Sequence, residues 1–222
     1  MPLSKPIAES ISLLHLQAQQ SFHRHMLVLS GSESWCLKHV EAVLAEGFGE
    51  QALFISNKSP ILGTSTVQES KLSHQLGSEY QTLLWDGFSG LNPDGLGIAS
   101  GLLKGGGLFI FILPPLETLE TQADNDYHRM CSELDDVAVC HTFFLHRFVD
   151  QIKNSDDVLL IEAGKKPQPT SHVVSQASHK NVELPTLDQL NAIAAIKKVA
   201  LGHRHRPLVI KANRGRGKSS AI

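Results

Sequence analysis

The residues best suited to chemistry are Ala212-Asn213-Arg214-Gly215-Arg216-Gly217-Lys218-Ser219, followed by Ser220 and Ala221. Apart from Ala212 in the place of a first glycine, this is the spacing of a phosphate-binding P-loop. Gly215 and Gly217 let backbone N–H groups, with that of Arg216 between them, converge on phosphate oxygens. Lys218 sets a point charge near the terminal phosphates, and Ser219 offers a hydroxyl to Mg²⁺ where a helix would begin, through Ser220 and Ala221. The expected ligand is ATP or GTP with Mg²⁺, and Ser219 is the expected metal contact. Hydrolysis also needs an acidic strand end and an arginine finger, and neither follows within this stretch.

A P-loop requires a strand before it and a helix after it. Pro207-Leu208-Val209-Ile210 has the apolar character of that strand. Upstream, Thr186 can cap a helix over 187–201, with Leu187, Leu190, Ile193, Ala194, Ile196 and Ala200 on its apolar side and Gly202 ending it. Gln189-Leu190-Asn191-Ala192-Ile193 on that helix resembles the segment of RecD- and Upf-type helicases in which a glutamine holds the adenine edge. An amide supplies a donor and an acceptor to one base edge, which makes Gln189 a candidate nucleotide contact.

Ahead of this unit, continuous apolar runs recur at 26–30, 52–56, 82–86, 108–113 and 158–161. A strand covered on both faces reads in this way, without polar alternation. Helix-compatible stretches at 33–46, 66–75, 93–103 and 143–153 lie among them, the second weaker than the others. Strand alternating with helix implies crossover connections, hence an α/β fold with a doubly wound, mainly parallel, Rossmann-like sheet of about five strands. The expected organisation is an α/β domain over 1–165, a linker or exposed excursion over 166–185, and the start of a RecA/RecD-like P-loop domain over 186–222.

Gly31, Gly87, Gly90 and Pro114-Pro115 fall at strand ends, on the edge where open α/β sheets bind ligands. No GxGxxG follows the first strand, and Gly105-Gly106-Gly107 precedes a strand, so it reads as a turn. Cys131, Cys140, His141 and His146 fit no structural zinc spacing. Glu133, Asp135 and Asp136 read as a solvated loop, and Ser30 and Ser34 lack the setting of a hydrolase nucleophile.

With 20 basic and 22 acidic residues the formal net charge is −2. Any grip on nucleic acid must therefore be local. His23-Arg24-His25 and His203-Arg204-His205-Arg206 are basic clusters that read as solvated loops. No apolar run reaches the roughly 20 residues of a membrane helix, and no secretory signal opens the chain, so a cytoplasmic protein is expected. Three unclustered cysteines, Cys36, Cys131 and Cys140, read as reduced thiols.

Three stretches resemble one family, the tRNA(Met) cytidine acetyltransferases: Leu27-Val28-Leu29-Ser30-Gly31 with Trp35-Cys36, then Leu102-Leu103-Lys104-Gly105-Gly106-Gly107, then Ala212 to Ser219. The resemblance implies an N-terminal α/β domain, a RecD-like helicase module, an acetyltransferase domain and an RNA-binding tail. It implies acetyl transfer from acetyl-CoA to N4 of the wobble cytidine of elongator tRNA(Met), coupled to ATP or GTP hydrolysis. Its nucleotide contacts map onto Gln189 and residues 215–221, while its acetyl-CoA residues map onto nothing here. The α/β domain would then pack on the helicase module, and no catalytic residue is expected within this chain. Two alternatives stand beside it: a P-loop ATPase or helicase unrelated to acetylation, and a scaffold that binds no small molecule.

Overall fold

The computed structural model describes residues 5–49, 51–58, 64–121, 143–166, 185–203 and 206–211. The chain divides into two compact units, Met1–Gln176 and Ala177–Ile222. The first is built on strands β1 (His25–Ser30), β2 (Ala52–Ile55), β3 (Ser65–Val67), β4 (Tyr80–Asp86), β5 (Leu103–Leu113) and β6 (Val158–Glu162). Among the described residues they form one sheet in the order β3-β2-β4-β5-β1-β6. Every pairing is parallel.

The helices are α1 (Lys5–Ser21), α2 (Glu33–Val43), α3 (Pro93–Leu102), α4 (Leu116–Thr121) and α5 (Phe143–Asn154). A π-helical turn, Leu44–Phe48, prolongs α2, and a 3₁₀ segment, Glu69–Gln75, follows β3. Successive strand residues point to opposite faces, and both faces are covered. Leu27, Leu29, Leu108, Ile110 and Ile112 pack with α1 and α2, whereas Val28, Phe109, Phe111 and Leu113 pack with α3, α4 and α5. A strand buried on both sides has no polar register to show, which is why the apolar runs are unbroken.

Five of the six strands sit on the five expected runs. The sixth, β3, falls in the segment expected to be weakly helical. It is three residues long with Ser65 and Thr66 exposed, and its pairing to β2, not its own pattern, makes it a strand. An element absent from the sequence expectations is α1. It buries Ile7, Ile11, Leu14 and Ala18 on the sheet, a spacing of four, three and four that defines one helical face.

The triple glycine is not a turn before β5 but part of it. Tyr80 pairs with Leu103 and Thr82 with Leu108, so two steps along β4 match five along β5 and the surplus bulges out. Gly106 adopts φ 77° there, and its N–H donates to the His23 carbonyl at 3.2 Å. The absent side chains admit the end of α1: a Cβ on Gly105 would lie 3.1 Å from the Phe22 carbonyl oxygen. At Gly107 a Cβ would lie 2.8 Å from the Gln81 oxygen and 2.9 Å from the Lys104 oxygen, both backbone atoms. Gly107→Ala is therefore expected to cost about 2 kcal/mol through overpacking, read as a lower urea midpoint at unchanged slope.

In the second unit, α6 (Leu187–Ala200) begins at its Thr186 cap as expected. Gly202, just beyond it, has φ 72°. None of the residues of α6 is buried, and Leu187 is 73 % exposed. Residues 207–210 are not a strand: no ladder pairs with them among the described residues, and Val209 is 85 % exposed. Apolar composition proposes a strand, but only a hydrogen-bonded neighbour makes one. The start of a P-loop domain is thus not seen in this structure.

Candidate functional site

Gly215, Arg216, Gly217, Lys218, Ser219, Ser220 and Ala221 lie outside the described residues, as do Cys131, Cys140, His141, Glu133, Asp135 and Asp136. Gln189 is described. Its Oε1 accepts the Thr186 backbone N–H at 2.7 Å, and its own N–H donates to Thr186 Oγ1 at 3.3 Å. This reciprocal pair is a capping box, in which the Thr-x-x-Gln spacing satisfies two donors left over at the helix start. The amide acceptor of Gln189 thus serves its own helix here.

The carboxyl edge of the sheet is where open α/β folds bind their ligands. At the end of β1, the Gly31 N–H donates to the Leu113 carbonyl at 3.0 Å and Ser30 Oγ donates to the Pro114 carbonyl at 3.1 Å. Ser32 then caps α2, accepting the Trp35 N–H at 3.4 Å. In dinucleotide folds a glycine here leaves room for a phosphate. Around Gly31 that room is taken, because a Cβ would lie 2.8 Å from Ala163 Cβ and 3.0 Å from the Trp35 ring. The Trp35 ring lies in turn on that of His39, centroids 3.9 Å apart. Gly87 is likewise tight against the Leu113 side chain, with a Cβ 2.9 Å from the Ile112 oxygen.

A buried acid at this edge is Asp86, the last residue of β4, which sequence reasoning took only as the end of an apolar run. It is 2 % exposed. Its Oδ2 accepts Ser56 Oγ and Ser89 Oγ, each at 2.7 Å, and its Oδ1 accepts the Phe88 N–H at 3.1 Å. Lys58 Nζ stands 3.8 Å from Oδ2 and 2.6 Å from Glu33 Oε1, and 5.6 Å from the centre of the Phe88 ring. A carboxylate engaged by three donors and flanked by an ammonium is a clamp between the ends of β2 and β4, not a base waiting for a proton. The available signal was an acid terminating the run Leu83-Leu84-Trp85 just before Gly87.

The Cys36 thiol donates to the Leu29 carbonyl at 3.3 Å, and burial pushes its pKa up to about 12, so it stays protonated. No group of three metal-ligating side chains occurs among the described residues. Nor is any described helix long and apolar enough to cross a membrane.

Residues 3–163 match the family model for the N-terminal domain of tRNA(Met) cytidine acetyltransferase TmcA. Similar curated proteins bear that same name. The protein of Nitrosococcus halophilus is 33 % identical over 213 residues, covering 92 % of this chain and 28 % of the relative. That of Vibrio cholerae is 30 % identical, covering 99 % of this chain and 27 % of the relative. That of Haloarcula marismortui is 25 % identical, covering 94 % and 29 %. The chain thus spans less than a third of the length of these relatives, and it belongs to the tRNA(Met) cytidine acetyltransferase TmcA family through that family's N-terminal domain.

Proposed function

We propose that this chain is the N-terminal part of an enzyme that moves an acetyl group from acetyl-CoA to N4 of the wobble cytidine of elongator tRNA(Met), with hydrolysis of ATP or GTP. The match over residues 3–163, continued by relatives aligned to nearly the whole chain, carries this reading. In it, residues 215–221 cradle the triphosphate, Ser219 meets Mg²⁺ and Gln189 contacts the base through its amide NH₂, since its oxygen is engaged in the helix cap. The α/β domain is a scaffold that packs on the helicase-like module. The filled surroundings of Gly31 and the saturated Asp86 support the scaffold role. Membership of the family removes the reason to keep an unrelated ATPase as an alternative.

The chemistry explains why a motor would accompany a transferase. N4 attacks the thioester carbonyl, the CoA thiolate leaves, and the proton lost from N4 is taken up by that thiolate to give the free thiol. The N4 lone pair is delocalised into the ring, so it is a poor nucleophile, and a stacked anticodon base must first be drawn out. Extraction costs a few kcal/mol, which nucleotide turnover can supply or gate. An enzyme acting on tRNA in this way would work in the cytoplasm. The test is acetyl incorporation by the intact protein given acetyl-CoA, ATP, Mg²⁺ and elongator tRNA(Met). Acetylation confined to the wobble cytidine and absent from a tRNA with uridine there is expected. No incorporation with either ATP or GTP would overturn the assignment.

A further inference from the structure

At the opposite, amino edge of the sheet lies a cleft of about 430 Å³, a size suited to a small ligand. Its floor is apolar: Met26, Leu103, Phe109, Phe148, Ile152 and Val158. Ser100, Gln151, Ser155 and Asp157 also line it, with the exposed Arg24 at its mouth and the half-buried His25 beside it. A second hollow of about 370 Å³ shares Arg24, His25 and Asp157 and extends to Phe22 and His23. Phe22 is 67 % exposed and held at φ 55°, a conformation uncommon for an aromatic residue.

We propose that this cleft holds one unpaired nucleotide of an RNA strand, its base on the apolar floor and its phosphate at His23 and Arg24, with the next nucleotide beside Phe22. The proposal rests on the reading of the chain as part of a tRNA-modifying enzyme. Three features favour a nucleotide over an apolar protein side chain. The floor includes the Phe148 ring, which packs edge-on to Phe111 with centroids 5.6 Å apart and gives a base an aromatic surface. The exposed Gln151 amide on the lining supplies both a donor and an acceptor, which a base edge can match and an apolar side chain cannot. The His23-Arg24-His25 run places basic groups where a sugar-phosphate backbone would leave the cleft.

The orientation follows from the helix ends. α1, α3 and α5 all finish at this edge, at Ser21, Leu102 and Asn154. Their carbonyl ends repel an anion placed deep inside. Arg24 already answers one of them, its Nε donating to the Leu103 carbonyl at 2.7 Å. A guanidinium has five N–H donors, so the group can meet a phosphate at the mouth without leaving that carbonyl. The base therefore goes inward and the phosphate stays out. A site open to a neighbouring hollow suits a strand, whereas cofactors of open α/β sheets bind at the other edge.

The test titrates the 222-residue chain with a fluorescein-labelled, mixed-sequence, single-stranded RNA hexamer, and separately with AMP and CMP. Ser100→Trp, made at an exposed position, fills the cleft from its rim. It is expected to weaken hexamer binding about tenfold, the worth of one stacked base, with the circular dichroism spectrum unchanged and Ser100→Ala binding as wild type. His23→Glu is expected to weaken binding and flatten its salt dependence. Any of three results overturns the proposal: no hexamer binding, equal binding by Ser100→Trp, or AMP or CMP bound as tightly as the hexamer. Because these are binding measurements on this chain, wobble-cytidine acetylation by the intact protein stands or falls separately.

Discussion

Lys218→Ala in the intact protein is expected to slow ATP hydrolysis by about 10²-fold or more and to slow wobble-cytidine acetylation with it. A positioned cation that meets charge developing on a transferring phosphoryl group contributes on that scale, as removal of single stabilising donors in other enzymes shows. Lys218→Arg should not restore the rate, because a planar fork does not occupy the place of a compact ammonium. Phosphate release and acetyl incorporation, measured side by side, distinguish two ways of failing. Unchanged hydrolysis would remove Lys218 from the nucleotide site. Lost hydrolysis with acetylation at its normal rate would break the coupling while leaving the nucleotide site intact.

The second large effect concerns stability. Asp86→Ala should lower the unfolding free energy of the chain by about 3 kcal/mol, the scale for breaking a buried, hydrogen-bonded charge cluster by removing one partner. The substitution removes the carboxylate acceptor of the Ser56 and Ser89 hydroxyls and of the Phe88 N–H together. The ion pair contributes little to this, because Lys58 is 44 % exposed and keeps Glu33 as a partner. Lys58→Ala should accordingly cost under about 1 kcal/mol, and Asp86→Asn, which keeps an acceptor oxygen, should fall between the two. Urea denaturation of the three variants settles the order. If Lys58→Ala proved as damaging as Asp86→Ala, the cluster would be an ion pair first and a hydrogen-bond clamp second.

The fold was legible where burial on both faces left its mark on composition. Leu108 to Leu113 announces a central strand because no register of it meets water, and the Pro93 segment announces a helix because Asn92 and Pro93 form its start. What stayed illegible depends on partners distant in the chain. β3 is a strand because β2 lies beside it, and Gly105-Gly106-Gly107 is a bulge because the end of α1 docks there. α1 itself carries a readable helical face at Ile7, Ile11, Leu14 and Ala18, which the strand-led reading passed over. At the candidate site, Gly215 to Ala221 lie outside the described residues, whereas the Thr186-to-Gln189 spacing contained the capping box. The closure around Gly31 could not be read, since Ala163 comes from the far end of the domain and only folding brings it to Trp35.

The strand order has a consequence for synthesis. β1 emerges early, yet its two neighbours are residues 108–113 and 158–162. At ordinary elongation rates of roughly 5–20 residues per second, the nascent β1 waits on the order of ten seconds before its second edge is covered. During that interval Leu27, Val28 and Leu29 have apolar surface and unpaired backbone groups open to other chains. A ribosome pausing before β6 would prolong that exposure, so the timing of translation, as well as the finished sheet, governs how much of this protein reaches its native state.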